Sequence, residues 1–462
     1  MSKNIAGIHS DRIKNLNEKE TDQEGTYVLY WMQQSQRTEW NHALEYAARM
    51  ARQLEQPLLV GFGLTADYPD ANARHYTFML EGLKQVSEKL KERKTKLVVR
   101  KGHPAEVALE LGERASAIVC DRGYLRHQRA WREEVAEKAG CSVVQVESDL
   151  IVPVESASDK QEYAARTIRK KLMGQYEDYL DFPDPVNPPK DGRYLNVSGI
   201  DLRKPEKVIE DLDVDHSVEP VSKLFKGGTT EAVEQFDRFL ENHLKAYDDH
   251  RNQPQTDHVS HMSKYLHFGQ ISPVYLADKI RSYGSGENVD SFIEELLVRR
   301  ELAANYCFYN DQYDSFEGLP DWALKTLNAH ASDPRPTTYS LQQLEAARTD
   351  DPYWNAAMRE MKLSGYMHNY MRMYWGKRIL SWVGTPSRAY EITLHLNNKY
   401  FLDGRDCNSY ANVSWIFGLH DRAWQERDIY GKVRIMTQSG LKRKFDPDAY
   451  VEKVDKLEEE VE

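Results

Sequence analysis

The 462-residue chain has no apolar run approaching the roughly 20 residues needed to span a bilayer. Its charged opening, MSKNIAGIHSDRIKNLNEKE, lacks the apolar stretch of a secretory signal. Cysteine is scarce. Cys120, Cys141, Cys307 and Cys407 stand far apart with no CxxC spacing and no neighbouring histidine pattern. Neither a disulfide framework nor a zinc site has support, and free buried thiols in a reducing cytosol are expected. Glycine-rich phosphate motifs are missing too. No GxGxxG or GxxxxGK[ST] follows any apolar run, so a dinucleotide or P-loop site has no motif behind it. No internal repeat and no triad-like catalytic constellation is visible. Positive charge is in deficit, with 62 Lys and Arg against 73 Asp and Glu and a net charge of -11. On total charge alone the chain does not read as a nucleic-acid binder.

What is present divides the chain in two, as its length also suggests. Short apolar, β-branched runs at 27–32, 58–64, 96–100, 117–120 and 142–146 alternate with helix-period segments at 41–54, 71–93, 104–114 and 128–139. Strand–helix alternation predicts a five-stranded parallel, Rossmann-like sheet covered by helices on both faces, here assigned to residues 1–180. Ligands of such sheets lie at the carboxyl ends of the strands, where Gln33, Gln34, Arg37 and residues 121–123 fall. Residues 181–222, rich in Pro, Asp, Gly and Lys, read as a surface linker. From 223 to 462 the pattern is helical, with helices expected at 229–247, 273–282, 289–309, 341–349, 351–363, 366–382 and 386–398. Charge is also unevenly spread. Arg422, Arg427, Lys432, Arg434, Lys442, Arg443 and Lys444 face only Glu426 and Asp428 within their segment, a local excess of +5 that suits phosphate contacts.

Four segments of the helical half carry the chemistry. In the first, Tyr247 and Arg251 precede Ser260, Met262 and Ser263. Two serines with free backbone N–H groups ahead of a helix form a donor nest for a pyrophosphate, or else simple helix caps. In the second, Glu295 and Arg299 stand four apart on one helix face, either as a surface ion pair or, if buried, as a hydrogen-bonding pair for a ligand. In the third, YMHNYMRMYWGKRILSW, Asn369, Arg372 and Met373 lie within about one turn, and Trp375 and Trp382 lie two turns apart on one side. A buried Arg372 demands a partner, and Asp403 is the natural one. The fourth, NNKYFLDGRDCNSYANVSWIFGLHDRAWQER from Asn397 to Arg427, is too polar for core and too aromatic for surface.

Together these segments resemble the flavin-binding helical domain of the photolyase/cryptochrome family, over essentially the whole chain. The wording LDGRD…N…W…FGLHDR is similar to its class II branch, whose members repair cyclobutane pyrimidine dimers in DNA with light. The resemblance implies an all-α FAD-binding domain behind the α/β domain, and FAD that acts in its reduced form. Its excited state would pass an electron to a flipped-out dimer and take it back. It puts Tyr247, Ser260, Met262, Ser263, Arg299, Asn369, Arg372, Asn397, Asp403, Asp406 and Asn408 at the cofactor. Asn397 or Asn408 would face the flavin N5. Glu295, Asn397 and Trp415 become the catalytic set, and Trp375, Trp354 and Trp382 an electron relay to the surface with a tyrosine terminus that the 27 tyrosines do not single out. Arg251, Glu295, Met373, Trp415, Arg422, Arg434, Lys442 and Arg443 become the DNA and dimer contacts, Trp415 as a stacking platform for an extruded base. No metal, membrane or protein partner is implied. A cytoplasmic, nucleoid-associated monomer is expected, with an antenna chromophore, deazaflavin or folate, left open. Val298 replaces a tryptophan of other classes in the ELIWRE-like run ELLVRRE. Three other readings remain. A cryptochrome-like FAD light sensor without repair is the first. An adenylating enzyme seated on the N-terminal domain is the second, and a (6-4)-type photolyase using His267 or His368 is the third.

Overall fold

In the computed structural model, which describes residues 7–461, the apolar runs form strands because they are buried on both faces. Every residue of Tyr27–Trp31 (β2), Leu58–Leu64 (β3) and Ala115–Asp121 (β5) is buried. With Lys96–Lys101 (β4) and Ser142–Val146 (β6) they make the expected parallel array. A sixth strand, Ile13–Asn15 (β1), adds to the edge in antiparallel fashion, giving the order β1-β6-β5-β2-β3-β4. The sequence pattern misses it because three partly exposed residues, one of them a lysine, leave no period to read. Helices His42–Gln53 (α1), Ala73–Glu92 (α2), Pro104–Gly112 (α3) and Arg126–Lys138 (α4) cover the sheet. All four lie where the apolar period puts them, within about two residues at each end.

The segment 181–222 is not a free tether. It carries a short helix, Pro205–Glu210, and buries Leu202, Val208, Ile209 and Leu212 beside Leu80 and Leu83 of α2. The helical half is built from Arg300–Tyr309 (α5), Pro352–Ser364 (α6), Asn369–Trp382 (α7), Pro386–Tyr400 (α8), Cys407–Ile416 (α9) and Pro447–Val461 (α10), with shorter helices between. Expected helix 289–309 is broken by a π-turn over Glu294–Arg299. Expected helix 229–247 ends at Asn242.

The two halves are locked together by polar groups that pair across the junction. The Arg74 guanidinium donates to the carbonyls of Met361, Lys362, Tyr400 and Glu219 at 2.5–3.2 Å. Arg37 reaches the Gly269 carbonyl at 2.9 Å. Gly269 has φ +63, and a Cβ there would lie 2.2 Å from the Gln34 carbonyl, so the chains meet where only glycine fits.

Candidate functional site

Three short-range devices shape the main cavity. His368 caps α7 by accepting the Tyr370 N–H, Asp406 caps α9 by accepting the Ser409 N–H at 2.9 Å, and the turn between α8 and α9 includes Arg405 at φ +65. The ends of α7, α8 and α9 thus converge on the loop 247–263 and enclose a cavity of about 310 Å³. Tyr247, Ser260, Met262, Ser263, Asn369, Arg372, Asn397, Asp403, Asp406 and Asn408 all line it. The donor nest is a turn and not the end of a long helix, since the helix that follows runs only from Ser263 to His267.

Arg372 and Asp403 form a two-pronged ion pair at 3.0 and 3.1 Å. The third guanidinium donor goes to the Met367 carbonyl at 2.8 Å, and the group lies 3.9 Å over the Phe401 ring. Burial alone would raise the Asp403 carboxyl. Arg372, with Ser263 and Lys264, overrides it and holds the group below the usual carboxylate range. Behind the nest, the buried Lys264 ammonium donates to the His261 carbonyl at 3.1 Å and sits 3.7 Å from the Phe225 ring centre. Burial brings its pKa down to about 7. Asn397 donates to Asn398 and to Ser409, both at 3.1 Å.

Around this cavity three buried polar atoms have no protein partner: His261 Nδ1, His368 Nε2 and Trp375 Nε1. Unpaired buried groups are costly, so their clustering marks a place for a polar ligand. A cavity carrying such atoms, three serines, five asparagines and an Arg–Asp pair fits a flavin dinucleotide.

A second cavity, of about 420 Å³, lies outside the first. Arg251, Glu295, Asn369, Met373 and Asn408 line both, so the two share a wall. Trp415, Arg299 and Arg434 line the outer one. The expected Glu295–Arg299 pair is not made. In a π-turn residues five apart align, so Arg299 pairs with Glu294 at 3.1 Å while Glu295 turns to Arg251 at 2.9 Å. Arg299 therefore stands over the Trp415 ring, at 5.4 Å, and away from the inner cavity where it was expected. Arg422 and Arg434 flank Trp424, at 4.9 and 5.3 Å, and this indole is 40% exposed. Lys442 and Arg443 line neither cavity, and Lys442 lies 3.8 Å from Asp448 and over Tyr353.

From the inner cavity a line of rings leads outward. Trp375 lines the cavity, stacks with Trp354 at 6.4 Å, and Trp354 meets Trp382 edge-on at 5.4 Å. Half-buried Tyr339 continues the line at 5.0 Å, a residue that no sequence signal separated from the other tyrosines.

A third, small cavity of about 70 Å³ lies between the domains, lined by Gln33, Gln34, Tyr68, Trp131, Phe268 and Arg405 among others. Of the other strand-end candidates, Arg37 is sealed by Asp149 at 2.6 Å and Asp121 by Arg132 at 2.6 Å. Arg122 is held by Glu147 and Glu155. None of these three is free to bind.

A family model described as DNA photolyase matches residues 28–190. A deoxyribodipyrimidine photo-lyase of Methanothermobacter thermautotrophicus is 49% identical over 456 residues, spanning 98% of this chain and 100% of that protein. Another, from Potorous tridactylus, is 40% identical and spans 94% and 82%. Among solved structures, a class III photolyase from Agrobacterium tumefaciens gives a TM-score of 0.72 at 19% identity over 93% of this chain and 86% of that one. An archaeal photolyase from Sulfolobus tokodaii, solved with two FAD molecules, gives 0.70 at 16% identity over 93% and 90%.

Proposed function

This chain belongs to the DNA photolyase family, and we propose that it splits cyclobutane pyrimidine dimers in DNA under light in the manner of the class II branch. The observation that carries this reading is the shared wall. A cavity suited to a flavin shares Arg251, Glu295, Asn369, Met373 and Asn408 with a second cavity suited to an extruded pyrimidine dimer. Placement of cofactor and lesion in contact is the main thing such an enzyme must supply.

FAD, reduced and excited by light, would supply the electron that opens the cyclobutane ring and would recover it afterwards. The chain's own residues bind and orient. Ser260, Ser263 and Tyr247 are assigned to the FAD diphosphate region and Arg372, Asp403, Asn397 and Asn408 to the ring. Glu295, held by Arg251 rather than Arg299, is assigned to a pyrimidine edge. Trp415 offers a face for base stacking, and Trp424 with Arg422 and Arg434 stands at the mouth where the duplex must be opened. Trp375, Trp354 and Trp382, extended by Tyr339, are assigned to photoreduction. The small interdomain cavity at the carboxyl ends of β2 and β3 is, at about 70 Å³, too small for a deazaflavin or a folate, and no antenna chromophore is assigned to it.

The test is illumination of purified, photoreduced protein with an oligonucleotide carrying one thymine dimer, followed by chromatography. Light-dependent recovery of intact thymines is expected, and its loss in Glu295→Ala with Trp415→Ala. A flavin-loaded, photoreducible protein that leaves the dimer untouched would sink the repair reading in favour of a light sensor.

A further inference from the structure

One lysine in the wall of the outer cavity is held by a carbonyl and by no carboxylate. Lys377, on α7, is 1% exposed and lines that cavity beside Trp415. Its ammonium donates to the carbonyl of Ile416, the last residue of α9 and the neighbour of Trp415. It makes no ion pair among the described residues. The contact is forced by close packing, because a Cβ on the adjacent Gly376 would lie 2.2 Å from Ile416 Cδ1. The lysine's own carbonyl accepts the Tyr430 hydroxyl at 2.7 Å, so one residue ties α7, the end of α9 and the 421–434 segment.

An ammonium taken from water and given only a carbonyl is held at a cost. Of the arginines in the same wall, Arg251 is paired with Glu295 and Arg299 with Glu294, while Arg300 and Arg434 share with Lys377 the lack of an ion pair among the described residues. The charges that face Lys377 from the neighbouring segment are Asp421, which favours the ammonium, and Arg434, which opposes it. Burial outweighs both and brings the amine down to about 7. A cation left in this condition gains most when a polyanion fills the cavity.

We propose that Lys377 is a positioning residue for damage recognition whose protonation is linked to DNA. Its ammonium fixes the carbonyl of Ile416, next to Trp415, and gains a second negative neighbour, besides Asp421, from the backbone of the bound strand. The inference rests on the reading of the outer cavity as the DNA site. A helix cap alone would also place a lysine at the end of α9, but a cap predicts no proton uptake on binding.

Binding of the flavin-loaded protein to an oligonucleotide with one cyclobutane dimer, and to its undamaged twin, is measured from pH 6 to 9 at fixed ionic strength. Damage-specific affinity is expected to fall up to tenfold per pH unit above about 7, the slope of one linked proton. Lys377→Arg, always charged, should remove most of that slope while retaining binding, and Lys377→Met should remove it at a lower affinity. Flavin content of each variant reports folding. Should either variant fold poorly, wild-type calorimetry in two buffers of different ionisation heat reads the proton uptake directly. An unchanged slope in both variants, or no uptake by the wild type, overturns the role of Lys377. No preference for damaged DNA at any pH would instead overturn the function on which it rests.

Discussion

Replacing Asp403 by Asn tests the polar frame of the inner cavity with one atom changed. Arg372 spends two donors on the carboxylate at 3.0 and 3.1 Å and its third on the Met367 carbonyl. Packed over Phe401, the arginine side chain is only 16% exposed. Asn returns one acceptor and turns an NH₂ toward the guanidinium, so one bond is lost and a buried charge is left uncompensated. Two charge-assisted bonds at about 1.5–3 kcal/mol each bracket the effect. Breakage of buried pairs from one side costs about 3–5 kcal/mol, which is therefore the expected destabilisation of the helical half. The pH dependence follows from the lowered carboxyl. A folded-state pKa below the unfolded one gives stability that is full above the unfolded value and is lost as pH falls through the folded value. The gap between wild type and Asp403→Asn should accordingly be widest near neutral pH and close in acid. Urea midpoints followed by tryptophan fluorescence, in a cycle with Arg372→Met, isolate the pair. The double variant should recover part of the loss, because Met removes the stranded charge and leaves only a neutral amide facing it. A loss under about 1 kcal/mol with flavin retained, or no coupling in the cycle, would refute the buried-pair argument.

Trp354→Phe should stop light-driven reduction of bound FAD by an external reductant while chemically reduced protein still repairs. This follows from its position between Trp375 and Trp382, and visible absorbance under illumination checks it. Gly376→Ala should destabilise by about 1–3 kcal/mol, because its new methyl group overpacks against Ile416 where α7 crosses α9. Thermal unfolding checks this, and an unchanged midpoint would show that the crossing relaxes freely.

The parallel strands and most helices were legible because each has one strong period, and edges differ by a few residues. What sequence missed had no period to show. β1 is three residues long, and the helix Pro205–Glu210 hides in a Pro- and Asp-rich stretch. The lining of the inner cavity was expected mainly through the family resemblance, since its serines taken alone read equally as helix caps and only the Arg372–Asp403 pair followed from the residues themselves. The outer one was less legible, and Arg299 shows why. A period of 3.6 puts it with Glu295, but the π-turn moves the register by one residue and exchanges the partners. Tyr339, Trp424 and Lys377 were invisible for a different reason. Their significance lies in what stands beside them, and one more tyrosine, tryptophan or lysine in a chain rich in tyrosine and lysine carries no mark.

Pairing, rather than residue type, separates structural charge from functional charge in this fold. Near the strand ends Arg37, Arg122 and Arg132 have the composition of an anion site, yet each is closed by a carboxylate. The Arg405 guanidinium is 1% exposed, lines the interdomain cavity, and touches only the Asn398 carbonyl and the imidazoles of His75 and His267. Lys377 likewise has a carbonyl and no carboxylate. Around the inner cavity the unpaired atoms are neutral, His261, His368 and Trp375. Unpaired buried atoms occur in several parts of the fold, and those of His261, His368 and Trp375 gather at the inner cavity, where a polar ligand would satisfy them. In a chain of net charge -11 local distribution carries the argument: Arg422 and Arg434, on either side of Trp424, make no ion pair among the described residues and keep their charge beside an aromatic face.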